Sequence, residues 1–191
     1  MQGKRLKDMS KRQRYLIYDF FIAYFAMGLY LILIGSALPS IKADYGISYR
    51  IGGLMMSAQQ IGYLVTGVCV SMIAQRLSVK AVYLGFGILA FVGLALMMVT
   101  GNPFVLLFVM LLTGICKGST CNFGNQLVST MSGSNASLLN LAQAFFAVGA
   151  CAAPLVAMVC GTSWRLAFAI TIAVGIVMFL HGMRVEIRPE D

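Results

Sequence analysis

Two charges lie inside otherwise apolar stretches of this 191-residue chain, Asp19 and Lys117. Lys117 is the costlier. A lysine deep in a lipid-embedded helix is unfavourable by roughly 2.5–3.5 kcal/mol on insertion scales. The same stretch, Leu111–Met131, also carries Asn122, Asn125 and Gln126. The chemistry open to such groups is binding: an ammonium for a negative group, amides for hydroxyls. Gln59, Gln60, Asn140 and Gln143 add uncharged amides elsewhere, and Tyr24 and Tyr30 offer rings on which a solute could stack. Packing between helices accounts for the amides equally well, and core packing is the simpler reading of both tyrosines.

Bond-breaking chemistry lacks its usual parts. No H-E-x-x-H, no G-x-S-G with a partnering histidine, no paired acids at depth and no phosphate-cradling loop occurs. The one histidine, His181, closes the last apolar stretch. Cys69, Cys116, Cys121, Cys151 and Cys160 form no C-x-x-C pair and lie in apolar runs, where cysteine packs as a small hydrophobe. No enzyme, metal site or cofactor is therefore expected.

The elements that must position these residues follow from composition. The chain is 60% hydrophobic and 10% charged, against about a quarter charged in soluble domains. About 20 apolar residues cross the hydrocarbon. That length predicts one all-α membrane domain of six helices at 15–38, 51–74, 81–100, 104–129, 138–160 and 164–182, between a basic tail (1–14) and a short tail (183–191). Pro39 is expected to end the first helix. Gly101-Asn102-Pro103 and Ser132-Gly133-Ser134-Asn135 read as tight turns. The first apolar run, Tyr15–Leu38, is too long for a cleavable signal core of roughly 7–15 residues.

The net charge of +8 follows topology rather than a nucleic-acid partner. Lys4, Arg5, Lys7, Lys11, Arg12, Arg14, Arg76, Lys80, Arg184 and Arg188 fall on one side, and Lys42, Arg50 and Arg165 on the other. The positive-inside rule then places both termini in the cytoplasm. Tyr15 and Tyr18 fit an inner aromatic belt, and Tyr45, Tyr49 and Trp164 an outer one. Counting rise along the helices puts Asp19 about 6 Å and Lys117 about 10 Å from the cytoplasmic face. The two are therefore expected to approach each other, although Asp19 also suits a first helical turn and Lys117 could snorkel.

A faint repeat pairs Ala58-Gln59 with Ala142-Gln143, 84 residues on. The turns that follow lie on opposite sides, so the two three-helix halves would be inverted copies. The loop Ser71–Lys80 (S-M-I-A-Q-R-L-S-V-K) resembles the G-x-L-A-D-R-x-G-R-K motif of the major facilitator superfamily, matching in kind at Ile73, Ala74, Arg76 and Lys80. Gln75 replaces the motif's aspartate. G-I-C-K-G-S-T-C-N-F-G-N and N-L-A-Q-A-F-F-A-V-G-A-C-A-A-P are similar to the fourth and fifth helices of its sugar-permease-like branch. The resemblance implies an N-terminal half, two inverted three-helix repeats, with the first and fourth helices lining a central cavity. It also implies transport of a small polar solute in the cell membrane and a second six-helix unit as partner.

Within that picture Lys117 and Asn125 read as the working face of the fourth helix. Gln59, Gln143, Tyr24 and Tyr30 are candidate cavity residues, Asp19 is the candidate coupling or ion-pairing acid, and Arg76 and Lys80 are the loop motif. Gly114, Gly118 and Asn122, at small-x-x-x-small spacing, read as a helix contact. Two other readings compete: a six-helix substrate-binding subunit of a multi-component importer, and a non-transporting membrane scaffold.

Overall fold

The computed structural model describes residues 6–74, 79–133, 135–161 and 163–184. Six helices follow one another: α1 (Lys11–Tyr45), α2 (Tyr49–Ala74), α3 (Val79–Val99), α4 (Pro103–Ser132), α5 (Ala136–Cys160) and α6 (Trp164–Arg184). Among the described residues α1, α4 and α5 are long and apolar enough to cross a membrane. The turns have the expected chemistry. Asn102 caps α4 by accepting from the Phe104 N–H with Pro103 at the first helical position, and Asn135 caps α5 through the Ser137 N–H.

Pro39 does not end α1, contrary to the sequence expectation. The helix continues to Tyr45 and stops at Gly46, whose φ of 64° is left-handed. A proline inside a helix removes one i→i−4 bond, here the bond to the Gly35 carbonyl. Gly35 is exposed and a Cβ there would meet nothing within 4 Å, so the helix has room to adjust.

Four glycines set the packing. A Cβ on Gly28 would strike the Phe146 carbonyl, and one on Gly149 the Phe25 carbonyl, so α1 and α5 touch backbone to backbone. Gly62 meets the Leu111 carbonyl and Gly114 the Gln59 carbonyl, which does the same for α2 and α4. In each case the neighbours stand three residues before and one after the opposing glycine: Phe146 and Ala150 around Gly149, Gln59 and Tyr63 around Gly62. The two contacts are therefore copies. They relate α1 to α4 by 86 residues (28 to 114) and α2 to α5 by 87 (62 to 149). The helix ends agree, since Gly46 and Gly133 both close their helices with positive φ, and α3 and α6 each run 21 residues.

The direction of the helices makes the copies inverted. α2 runs parallel to α4, with Gly62 beside Leu111 and Thr66 beside Gly118. α1 runs antiparallel to α4, with Phe20 and Tyr24 against Gly124 and Met27 Sδ against Cys121 Sγ at 3.9 Å. The inverted repeat is thus present, but the register is 87 rather than 84 in the second helix pair. The counterpart of Gln59 is Phe146, and that of Gln143 is Met56.

At the Gly46 end a polar clamp joins α1, α3 and α6. Trp164 Nε1 and Arg165 donate to Asp44 Oδ2 at 2.8 and 2.6 Å. The Tyr45 hydroxyl donates to the Met97 carbonyl at 2.9 Å, and Arg165 Nε to that of Met98 at 3.0 Å. Trp164 is only 3% exposed, so it belongs to this clamp rather than to an aromatic belt. Asp44 lies beyond the apolar Tyr15–Leu38 run. The Trp164 hydrogen bond first, and Arg165 second, hold its carboxyl below the ordinary value. A depressed carboxylate stabilises fully above its unfolded pKa of about 4 and loses that contribution as pH falls through the folded value. Fluorescence of Trp164, the one tryptophan, should stay constant on acidification to about pH 4 and change only below it. In Asp44→Asn the acid step should be missing.

Candidate functional site

Lys117 and Asn125 sit on the arc of α4 between its contacts with α1 and α2. At 100° per residue, Gly114 and Gly118 mark the α2 side and Cys121 and Gly124 the α1 side. Lys117 is partly exposed, and its ammonium lies 4.6 Å from the centroid of the Tyr63 ring. Such a cation–π contact is worth about 0.5–2 kcal/mol. Two turns further on, the buried Tyr24 hydroxyl donates to Asn125 Oδ1 at 2.7 Å. Two of the expected residues are thereby joined, and the amide nitrogen of Asn125 is left as the donor.

Several expectations are corrected. Asp19 does not stand level with Lys117. Phe20 and Tyr24 pack on Gly124, so Asp19 lies some seven or more residues of α4 away, roughly 10 Å or more along the axis. It is also only 8% exposed and already engaged in the bundle. Tyr30 is buried core, and its hydroxyl finds no hydrogen-bond partner among the described residues. Gln59 is buried in the α2–α4 contact, where Nε2 donates to Thr113 Oγ1 at 3.3 Å, so it joins helices and lines no cavity. Asn122 is exposed rather than packed, while Gly114 and Gly118 do form the predicted contact. Of the loop motif, Arg76 and the Lys80 side chain lie outside the described residues.

Sequence reasoning passed over Tyr63, Thr113, Thr66 and Cys121. The Thr66 hydroxyl lies 2.8 Å from the Gly62 carbonyl and 3.2 Å from that of Ile115, and spans the same seam. A helical spacing signal existed for this group: Gln59, Gly62, Tyr63 and Thr66 recur at i, i+3, i+4 and i+7.

A recess of about 380 Å³ opens at the Gly46 end between α1 and α2, lined among others by Gly35, Leu38, Pro39, Gly52, Gly53 and Met56. The two repeat offsets carry these positions onto Cys121, Gly124, Asn125, Leu139, Asn140 and Gln143 at the opposite, Gly133 end. Both walls change character on this exchange. The outer recess has no amide, whereas its counterpart carries Asn125 on α4 and the exposed Asn140 and Gln143 on α5.

The sequence profile of the Major Facilitator Superfamily matches residues 20–190. The chain belongs to this family of membrane transporters. Comparison with curated proteins gives no match.

Proposed function

We propose that the chain is one six-helix half of a secondary transporter that moves a small polar solute across the cell membrane by alternating access. Both termini are cytoplasmic in this reading, and the Gly46 end faces outward. The observation that carries it is the glycine register, which relates the recess between α1 and α2 at one end of the bundle to equivalent positions of α4 and α5 at the other. A pseudo-two-fold axis that exchanges an outward site for an inward one supplies the two states alternating access requires. Lys117, Asn125 and Gln143 are the solute-facing groups, with Tyr24 positioning Asn125. Gln59 and Tyr30 are structural, and Asp19 is too deep in the core to face the solute. The loop Ser71–Lys80, with Arg76 and Lys80, belongs to the cytoplasmic side.

One six-helix unit does not enclose a pathway, so a second unit completes it, whether a copy, a separately encoded half or a further part of a longer chain. α5 is the least buried of the spanning helices, with only 11% of its apolar window covered. Its exposed Cys151 is a native handle. A short bismaleimide applied to native membranes should link Cys151, or Gln60→Cys on the exposed side of α2, to a second polypeptide. A chain that remains unlinked from both helices and sediments as a lone unit would overturn the reading.

A further inference from the structure

We infer that the solute is a small hydroxylated anion, its negative group held by Lys117 and its hydroxyls by Asn125, Asn140 and Gln143. The inference rests on the transporter reading and narrows it. Lys117 makes no ion pair among the described residues; its ammonium has only the Tyr63 ring at 4.6 Å. A cation at this depth is costly unless a negative partner arrives, and a ring face compensates only part of the charge. Asp19 does not serve, being roughly 10 Å or more away along the axis.

The neighbouring polar groups favour the same class. Because the Tyr24 hydroxyl occupies Asn125 Oδ1, Asn125 presents its N–H groups. Asn140 and Gln143 stand exposed at the facing positions on α5 and can both donate to and accept from hydroxyls. None of the α4 and α5 positions equivalent to the outer recess is a carboxylate, so a cationic solute would find no partner among them. Lys117 and Asn125 are eight residues apart, about 12 Å of rise, a separation that a small solute and a reorienting lysine side chain can bridge.

Pyridoxal 5′-phosphate and pyridoxal test this without the solute being known. Both aldehydes form an imine with a lysine amine, fixed by borohydride and read by peptide mass spectrometry, and only the former is strongly anionic. Lys11 is the control, since it is exposed at the start of α1 and lies apart from the recess. In membrane fragments open on both sides, the phosphate form should favour Lys117 over Lys11 by about tenfold or more relative to pyridoxal, as a positively lined cleft concentrates anions. Asn125→Asp should abolish that preference, while Asn125→Gln retains it. An equal ratio at the two lysines, or a Lys117 that neither aldehyde reaches, overturns the inference. Either failure leaves the transporter reading standing if Cys151 still links to a second unit.

Discussion

Alanine at Gly149 or Gly114 will destabilise the bundle, whereas alanine at Gly35 or Gly53 will not. The added methyl at Gly149 falls on the Phe25 carbonyl, and at Gly114 on the Gln59 carbonyl, atoms of rigid helical backbone that cannot swing aside. The helices must part, and overpacking of this kind costs about 1–3 kcal/mol, occasionally more. A second substitution across the same seam, Gly28→Ala or Gly62→Ala, should add less than its own value, because the helices have already separated. At Gly35 and Gly53 nothing lies within 4 Å. There the better helix propensity of alanine should leave stability unchanged or raise it by about 0.5–1 kcal/mol. Unfolding in mixed detergent–SDS titrations measures all six. Equal effects at the two classes of glycine would remove the basis for the repeat register.

The second large effect has the opposite sign. Lys117→Met should stabilise the protein, because it deletes a charge costing roughly 2.5–3.5 kcal/mol and gives up a Tyr63 contact worth about 0.5–2 kcal/mol. The net gain of about 0.5–3 kcal/mol follows from those two magnitudes. It should come with loss of the aldehyde-reactive anion site, the usual exchange of stability against function. Tyr63→Leu should destabilise the wild-type chain and have a smaller effect when Met occupies position 117, the coupling expected of a direct contact. A lysine whose removal destabilises would be a structural cation, and the solute assignment would have to move elsewhere.

Six helices were legible because apolar length and turn residues carry that information directly. Boundaries were less so. Pro39 reads as a stop, yet the helix continues to Gly46, with open space beside Gly35 one turn before the proline. The approach of Asp19 to Lys117 failed on depth. The count took α4 as a span of about 30 Å from Phe104, whereas the helix continues beyond that length to Ser132. The repeat was visible, but two matching Ala-Gln pairs set it three residues out of register. Chemical identity drew the eye, while the conserved geometry resides in glycines that have no side chain to compare. That error mattered for the site, since it equated Gln59, a buried helix joint, with Gln143, an exposed amide. Lys117 and Asn125 were readable from the arc they share on one helix. The Tyr24 hydroxyl that orients Asn125 comes from a residue 101 positions earlier, which no local pattern discloses.

The central claim, that one pathway is served alternately from two ends, is tested most directly by thiol accessibility. The measurement uses a chain whose other cysteines are replaced, with native Cys121 at the Gly133 end and Gly35→Cys at the Gly46 end. Membrane-impermeant maleimides are applied to sealed vesicles of either orientation. Cys121 should react only from the cytoplasmic side and Gly35→Cys only from outside. A bulky adduct at either position should slow the other severalfold by holding its own end open. Two positions that react independently, or both from the same side, would contradict the account.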